Sequence, residues 1–501
     1  MIAEAKAIIN LLNKRGFEAF FIGGKCRNEL HNTYHTAVKL PINDVDIVTN
    51  AKPEDIKKIF PNHTEAGVAF KVVIVKFAEQ QFEVATYRKD NYDYEALKIA
   101  TKVVKPKCTS AGTLDEDRQR RDFTINAVAQ DITSKYIDYT YMEGKKVISA
   151  MQDIQNGIIR CIGNPKDRFL EDPLRILRMF RFQSQLGYKI HKDTVKAAIE
   201  SKQLLLNIPW ERFGKDFNKL LTGKFVYRTL QNMKKFGFFD IIVNNHPFME
   251  CIKNIPDEDL QMLEKYNRGS DKTDYIEAYS MLLKHVDVQT IEEELMAFLP
   301  ISKDSIQRII WIVNHQELID KANRDNLYIK IFEAKDGIVK AEGQRGMLWQ
   351  IKHVSHIVHA LEGENEGRKV YDAYCERPYF PDQLRITTDD LLLMTGKTID
   401  TKNGINNRWI NDVKEAILRR LVSIKENWPY DYQGYMQHVK LGILDVFPDL
   451  NVEIPEELVK IDGYGNVMDP HKAVQFVEAS DIDINTENVL DDNNDDNDEE
   501  E

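Results

Sequence analysis

Asp44 and Asp46, in the run DVDIVT, are the first residues of this chain whose types and spacing point to chemistry. In an extended strand, residues two apart project from the same face, so the two carboxylates converge. Paired carboxylate oxygens suit a hard divalent cation such as Mg²⁺, and phosphoryl transfer commonly works through such ions. An ordinary exposed strand face would carry the same pattern. Upstream stands GGKCRN, Gly23 to Asn28, directly after a predicted strand. Paired glycines let backbone N–H groups approach a phosphate closely, and Arg27 adds a charge-assisted contact. The plain alternative there is a strand-to-helix turn.

Three further segments follow in order: RRDFTINA at 120–127, placed at the start of a predicted helix, DIQNGIIR at 153–160, and EDPLRILRMFRF at 171–182. In the last of these Asp172, Arg175, Arg178 and Arg181 stand three apart, a row that drifts by about 60° per step along one side of a helix. Phe169, Leu170, Ile176, Leu177 and Phe180 fall on the other side. One face therefore packs and the other presents a carboxylate and three guanidiniums. Asp172 before Pro173 is also a good N-cap, with the proline at the first helical position. His353, His356 and His359 form another row of threes, opposite Ile351, Val354, Ile357, Val358 and Leu361. Their face is expected to meet solvent, and with no pair at i, i+4 they do not read as a metal site.

The elements that must hold these residues change along the chain. An amphipathic opening helix carries Ile8, Ile9, Leu11 and Leu12; FEAFFI and DVDIVT read as strands, PEDIKKIF as a helix begun by Pro53, and FKVVIVKF with QFEVATY as a β-hairpin. Lys89–Gln119 has little periodicity and reads as a long mobile loop, of a length that is usually functional or disordered. Beyond about residue 146 the strand signals fade, and helical spacing recurs in WERFGKDFNKLL, QTIEEELMAFL and DVKEAILRRLVSI.

Of the chain's 501 residues 43% are apolar, enough for a substantial core, and the length allows three or more domains. The net charge of −12 is unevenly spread. Residues 481–501 hold 11 of the 80 acidic residues and no basic one, which leaves 69 acids against 68 bases elsewhere. DDNNDDNDEEE is expected to be disordered by composition. Between Arg160 and Lys235 there are 17 basic residues against 7 acidic, as a nucleic-acid-contacting surface would have. Five scattered cysteines without a C-x-x-C pair argue against a disulfide scaffold or zinc knuckle and fit a reducing compartment. With no apolar run of about 18 residues and no signal-like N-terminus, the expectation is a soluble cytoplasmic protein.

Taken in order, GG-x-x-R, D-x-D-I-x-T, RRDFTINA, D-x-x-x-G-x-I-R and ED-x-x-R-x-x-R-x-x-RF, over residues 20–182, resemble the class II tRNA nucleotidyltransferases, the bacterial CCA-adding and poly(A) polymerase family. DDLLLMTGKTIDTKNGINNRWINDVKEAILRRLVSIKEN looks, more loosely, like that family's C-terminal tRNA-contacting region. The resemblance implies an α+β fold: a polymerase-β-like head with a mixed sheet at 1–145, then all-α neck (146–225), body (226–380) and tail (381–480), with the acidic segment 481–501 after them. It implies that Asp44 and Asp46 hold Mg²⁺, that Gly24, Arg27 and Arg121 bind the incoming triphosphate, and that Asp172 and Arg175 read the base, supported by Arg178 and Arg181. Glu83 is a candidate third carboxylate. The implied reaction is untemplated addition of CCA to the 3′ end of tRNA from CTP and ATP. Three positions depart from the family pattern: Asn28 for an aspartate, Lys71 for a small residue, and Asp216 for the glutamate of an E-R-x-x-x-E motif.

The base-reading role also follows from hydrogen-bond chemistry. A carboxylate only accepts and a guanidinium only donates. Cytosine and adenine both set an exocyclic amine beside a ring acceptor, whereas uracil and guanine present the reverse order. Poly(A) polymerase or partial CC or A addition are the rival activities, and an inactive tRNA-binding protein is the rival of another class. The acidic C-terminal segment and the full-length 89–119 segment favour CCA addition over the first two; intact Asp44 and Asp46 oppose the third.

Overall fold

The computed structural model describes residues 1–43, 45–66, 72–92, 107–109, 112–298, 301–321, 326–335, 343–375, 377–384, 386–398, 408–424 and 432–455. Asp44, Lys71 and the acidic segment 481–501 lie outside them. The chain forms two compact units: Met1–Asn267 with Thr273–Ile306, and Arg268–Lys272 with the chain from Gln307 onward.

The first unit opens with α1 (Ile2–Lys14), which buries Ala5, Ile8, Ile9 and Leu12. Leu11, expected on that face, is instead 37% exposed. There follow β1 (Ala19–Ile22), α2 (Gly24–Tyr34), β2 (Asp46–Thr49), α3 (Pro53–Ile59), β3 (His63–Ala66), β4 (Val72–Phe77) and β5 (Gln80–Thr86). Pro53 opens α3 as expected. The β4–β5 hairpin is also as read, closed by Ala78 and Glu79, both at positive φ. That is the twist a two-residue hairpin turn demands.

The 89–119 segment is not all loop. Its ends form a small ladder, β6 (Lys89–Asn91) with β7 (Lys107–Thr109), and a helix, α4 (Leu114–Gln119), begun by a Thr113–Glu116 capping box. Short strands β8 (Ala129–Gln130) and β9 (Tyr136–Ile137) complete a seven-stranded sheet in the order β3-β4-β5-β2-β1-β8-β9. It is mixed: β2 runs parallel to β5, and the other neighbours are antiparallel.

RRDFTINA does not start a helix. It follows α4 and turns through a 3-10 segment at Thr124–Asn126. Asp122 Oδ1 accepts from the Phe123 N–H and the Asn126 amide, both at 2.8 Å, a local bonding pattern that competes with helix.

After the hairpin β10 (Thr140–Glu143) and β11 (Lys146–Ser149) come α5 (Ala150–Gln155), β12 (Ile158–Ile159), α6 (Pro165–Glu171), α7 (Leu174–Leu186) and β13 (Lys189–Ile190). Strands thus persist past residue 146, as a two-residue parallel pair of β12 and β13 too short to show periodicity. Asp172–Pro173 splits the predicted long helix into α6 and α7. Proline cannot donate, and the residue before it is driven to extended geometry, here φ −147°, ψ 102°. Helices α8 (Lys192–Glu200), α9 (Trp210–Leu221) and α10 (Val226–Lys235) follow, and from there on the described elements are all helical.

In the second unit the helices Gly343–Glu362 and Glu364–Cys375 pack so tightly that a Cβ at Gly367 would lie 2.7 Å from the Ser355 carbonyl. The histidine row sits in this packing rather than in solvent. His353 is 7% exposed, and His356 Nε2 lies 3.0 Å from Ser270 Oγ. Periodicity alone missed this because the helix is covered on more than one side.

Candidate active site

The glycine pair ends β1 and opens α2. Gly23 has φ +74°, a conformation that strains any side chain, and a Cβ there would stand 3.1 Å from Asp46 Oδ2 and 3.6 Å from Arg121 Nη1. The bare glycine is thus what lets a carboxylate and a guanidinium meet at the start of a helix. No side chain caps α2 at Gly23, and a helix N-terminus of this kind favours an anion.

Strand register supplies a second carboxylate. Ile47 pairs with Val84, so one residue back on each parallel strand Asp46 and Glu83 are neighbours on the opposite face. Asp46 is half-buried and Glu83 exposed. Their oxygens are the donors a hard divalent cation takes. Asp44 is outside the described residues.

Arg121 is held from below by Asp117, whose Oδ2 accepts at 3.2 Å while Oδ1 takes Arg120 Nη2 at 2.6 Å. Burial pushes the Asp117 carboxyl up, but Arg121 and Arg120 outweigh it and hold it below the usual range. Cys26, beside this site, is buried, and burial pushes its thiol up to about 12.

Arg27 points elsewhere. Its Nη1 donates to Asn126 Oδ1 at 2.7 Å, its Nε to Asn28 Oδ1 at 3.0 Å, and its guanidinium lies 4.9 Å from the centre of the Phe182 ring. Arg178 and Arg181 approach the same ring, at 5.5 and 4.5 Å. Burial, reinforced by Arg181, lowers Arg27 to about 10. Asp122 ion-pairs Arg178 at 2.7 Å, and Asp216 ion-pairs Arg181. Burial would raise the Asp122 carboxyl, yet Arg178 and the Asn126 amide hold it well below its ordinary value. Asp216, one carbon shorter than the glutamate of the family pattern, still reaches its arginine.

The helix row is therefore a set of compensated cations rather than an open basic face. Arg175 donates Nη1 to Glu171 Oε2 (2.6 Å) and the Arg168 carbonyl (3.1 Å), and Nη2 to the Arg120 carbonyl (2.8 Å). Asp172 lies before α7, where its Oδ1 accepts the Leu174 N–H at 3.2 Å, a capping-type bond. Its backbone carbonyl accepts the Arg175 N–H at 3.0 Å, while its Oδ2 takes the Arg212 guanidinium at 3.1 Å.

Three successive residues join the two places. The Arg120 carbonyl takes Arg175, the Arg121 guanidinium borders Gly23, and the Asp122 carboxylate takes Arg178. Behind them Asp153 and Arg160, the ends of D-x-x-x-G-x-I-R, form a buried pair at 3.0 Å, and Asp153 also accepts the Thr124 hydroxyl at 2.8 Å. Sequence reasoning missed Asp117, Asp122, Asn126, Glu171, Phe182 and Arg212. Asp117 and Glu171 had a local signal, each four residues before the arginine it pairs with, Arg121 and Arg175.

Residues 19–160 match the poly A polymerase head domain, and residues 187–250 match the probable RNA and SrmB-binding site of polymerase A. These two stretches thus resemble the head and RNA-binding parts of poly A polymerase-type nucleotidyltransferases, and the head fold is polymerase-β-like. Its relatives include the CCA-adding enzyme of Enterococcus faecalis, 40% identical over 44% of this chain and 49% of the relative. That of Ligilactobacillus salivarius is 38% identical over 44% and 50%. The chain spans about half the length of these curated relatives. Among solved structures, the Bacillus stearothermophilus CCA-adding enzyme in complex with CTP aligns with a TM-score of 0.62 and 25% identity, over 88% of this chain and 98% of that one. Nucleotidyltransferases of this family generally depend on a divalent metal. No helix among the described residues is long and apolar enough to cross a membrane.

Proposed function

We propose that this chain adds CCA to the 3′ end of tRNA, using CTP and ATP and no nucleic-acid template. The observation that carries the reading is the junction at Gly23, where a helix N-terminus, the Asp46 carboxylate and the Arg121 guanidinium meet on a sheet face shared with Glu83. It is the equipment for binding a triphosphate beside a cation. The similarity to CCA-adding enzymes supports the same reading.

In this mechanism the N–H groups at Gly24 and the Arg121 guanidinium hold the triphosphate, and Arg27 adds its positive charge from its place on Asn126 and Asn28, with the N–H groups it does not use there. Mg²⁺ on Asp44 and Asp46 would neutralise charge developing on the transferred phosphoryl group. Glu83 accepts the proton of the attacking 3′-hydroxyl. Asp172 accepts the exocyclic amine of cytosine or adenine, and Arg175 donates to the neighbouring ring acceptor from the N–H groups it does not use on Glu171, Arg168 and Arg120. Uracil and guanine would leave these groups facing their like. Arg178 and Arg181 support this wall from behind. The division into head (1–145), neck (146–225), body (226–380), tRNA-binding tail (381–480) and acidic segment (481–501) belongs to the same proposal, as does a cytoplasmic location.

The test is to incubate the protein with Mg²⁺ and tRNA lacking its CCA, supply each NTP singly and together, and sequence the products. Growth by CCA is expected with CTP and ATP together, and by C alone with CTP. An oligo(A) product, or none, refutes the reading.

A further inference from the structure

Asp172 is clamped from two elements. Its Oδ1 takes the Leu174 N–H at 3.2 Å, and its Oδ2 takes Arg212 Nη2, from the first turn of α9, at 3.1 Å. The backbone bond alone leaves the second oxygen able to swing. The guanidinium fixes the carboxylate plane and occupies one lone pair, so a defined lone pair remains for an incoming donor. Arg175 does not do this work, because three of its N–H groups go to Glu171, Arg168 and Arg120.

Exposure separates the two arginines further. The Arg175 side chain is 10% exposed, whereas Asp172 and Arg212 are 27% and 44% exposed. An ion pair this open adds little to stability. A pair that contributes little to the fold, yet fixes the one carboxylate of this wall that solvent reaches, has an orienting role instead.

We propose that Arg212 is a positioning residue for base selection: it orients the Asp172 carboxylate, so that the choice of CTP and ATP over UTP and GTP depends on α9 as well as on α7. The proposal rests on the reading that Asp172 meets the base.

Arg212→Ala, Arg212→Lys, Asp172→Ala and the double variant Asp172→Ala/Arg212→Ala should be compared with the unaltered chain. The measurement is kcat/KM for all four NTPs on tRNA ending before the first C and on tRNA ending in CC, with thermal unfolding alongside. Arg212→Ala is expected to lower discrimination against UTP and GTP roughly tenfold, the scale of one hydrogen bond to a charged group, at unchanged Tm. Arg212→Lys should restore part of it, since charge returns without the planar fork. In the Asp172→Ala background, loss of Arg212 should change the ratios no further. Lys215→Ala, on the same helix and paired to Glu211, serves as control and should leave them unchanged.

Unchanged NTP ratios in Arg212→Ala, or additive losses in the double variant, overturn the proposal. If the unaltered chain adds neither C nor A, it is the underlying reading that falls. If Asp172→Ala alone keeps its selectivity, base reading does not run through Asp172 and the proposal falls with it.

Discussion

The strand site around Gly23 and the arginine wall on α7 both gather charges but are built on different principles. At the strand site, backbone geometry does the positioning. A left-handed glycine and a parallel register bring Asp46, Glu83 and Arg121 together, with Glu83 exposed and Asp46 half-buried. On α7 each cation answers to a buried carboxylate: Arg175, 10% exposed, to Glu171, Arg181, 12% exposed, to Asp216, and the more open Arg178, 32% exposed, to Asp122. Charges offered to a ligand stay wet and cost little to hold, while buried charges must be paired to be tolerated at all. Substitutions at the first place should therefore damage turnover, and those in the buried network should damage the fold.

The largest effect tests the first half of that contrast. Asp46→Ala should cut nucleotide addition on the order of a thousandfold, the scale of losing a group that faces developing charge. The urea midpoint and tRNA affinity should stay close to those of the unaltered chain, because Asp46 is only half-buried at the first position of β2. A fall in both activity and stability would make Asp46 part of the architecture and erase the distinction.

Asp153→Ala tests the second half. Asp153 and Arg160 are each 7% exposed, and Asp153 accepts the Thr124 hydroxyl beside its bond to Arg160. Removing the acid leaves the buried guanidinium only the half-exposed Glu143, 3.9 Å away, with an expected loss of about 3 kcal/mol in urea unfolding. Replacing both residues by apolar ones should cost much less. Equal losses in the two variants would mean that packing, not charge pairing, holds this corner.

These partners explain what could be read from the sequence and what could not. The β4–β5 hairpin, the proline start of α3 and the three-residue row of arginines were legible because each is a local pattern. The row's partners were not: Asp122 lies 56 residues from Arg178 and Asp216 lies 35 from Arg181, so the pairs exist only once α7 has packed. The break at Asp172–Pro173 was visible as a cap signal, yet it also moved Asp172 off the helix that its spacing implied. The strand order stayed hidden for a similar reason. Strands β8 and β9 are two residues long, too short for any period, and β8 joins the sheet through a pairing with β1 that is distant in sequence.

A smaller effect should appear on acidification. His31 is buried, its Nε2 3.0 Å from the Val38 carbonyl and its Nδ1 2.9 Å from the Tyr188 hydroxyl. A proton on Nε2 then donates to the carbonyl, and Nδ1 accepts from the tyrosine. Burial lowers its pKa to about 4, from an ordinary value near 6.5. The unfolded chain thus binds the proton more tightly, and the contribution of His31 is complete above about pH 6.5 and lost as pH falls toward 4. The loss should be on the order of 2–3 kcal/mol in unfolding free energy. His31→Gln should be less stable at pH 7.5 but should flatten the change between pH 7.5 and 4.5. An unaltered slope in that variant would move the titration to another group.

The smallest expected effect concerns charges that neither region holds. Residues 481–501 carry 11 carboxylates and no cation. A polyanion attached to an RNA-binding protein repels phosphate wherever it comes within a Debye length, about 10 Å at 0.1 M salt and about 3 Å at 1 M. Deleting the segment should leave the fold and the addition of CCA intact, since the compensated wall and the strand site are complete without it. Binding of tRNA should tighten by roughly threefold at low salt, and the difference should vanish as salt rises, because phosphate contacts and their repulsion are screened together. The measurement is a pair of salt titrations of tRNA affinity, with and without residues 481–501. A weaker-binding truncated chain would assign the segment an attractive role that its charge opposes, and a difference persisting at high salt would assign it direct contacts instead of repulsion.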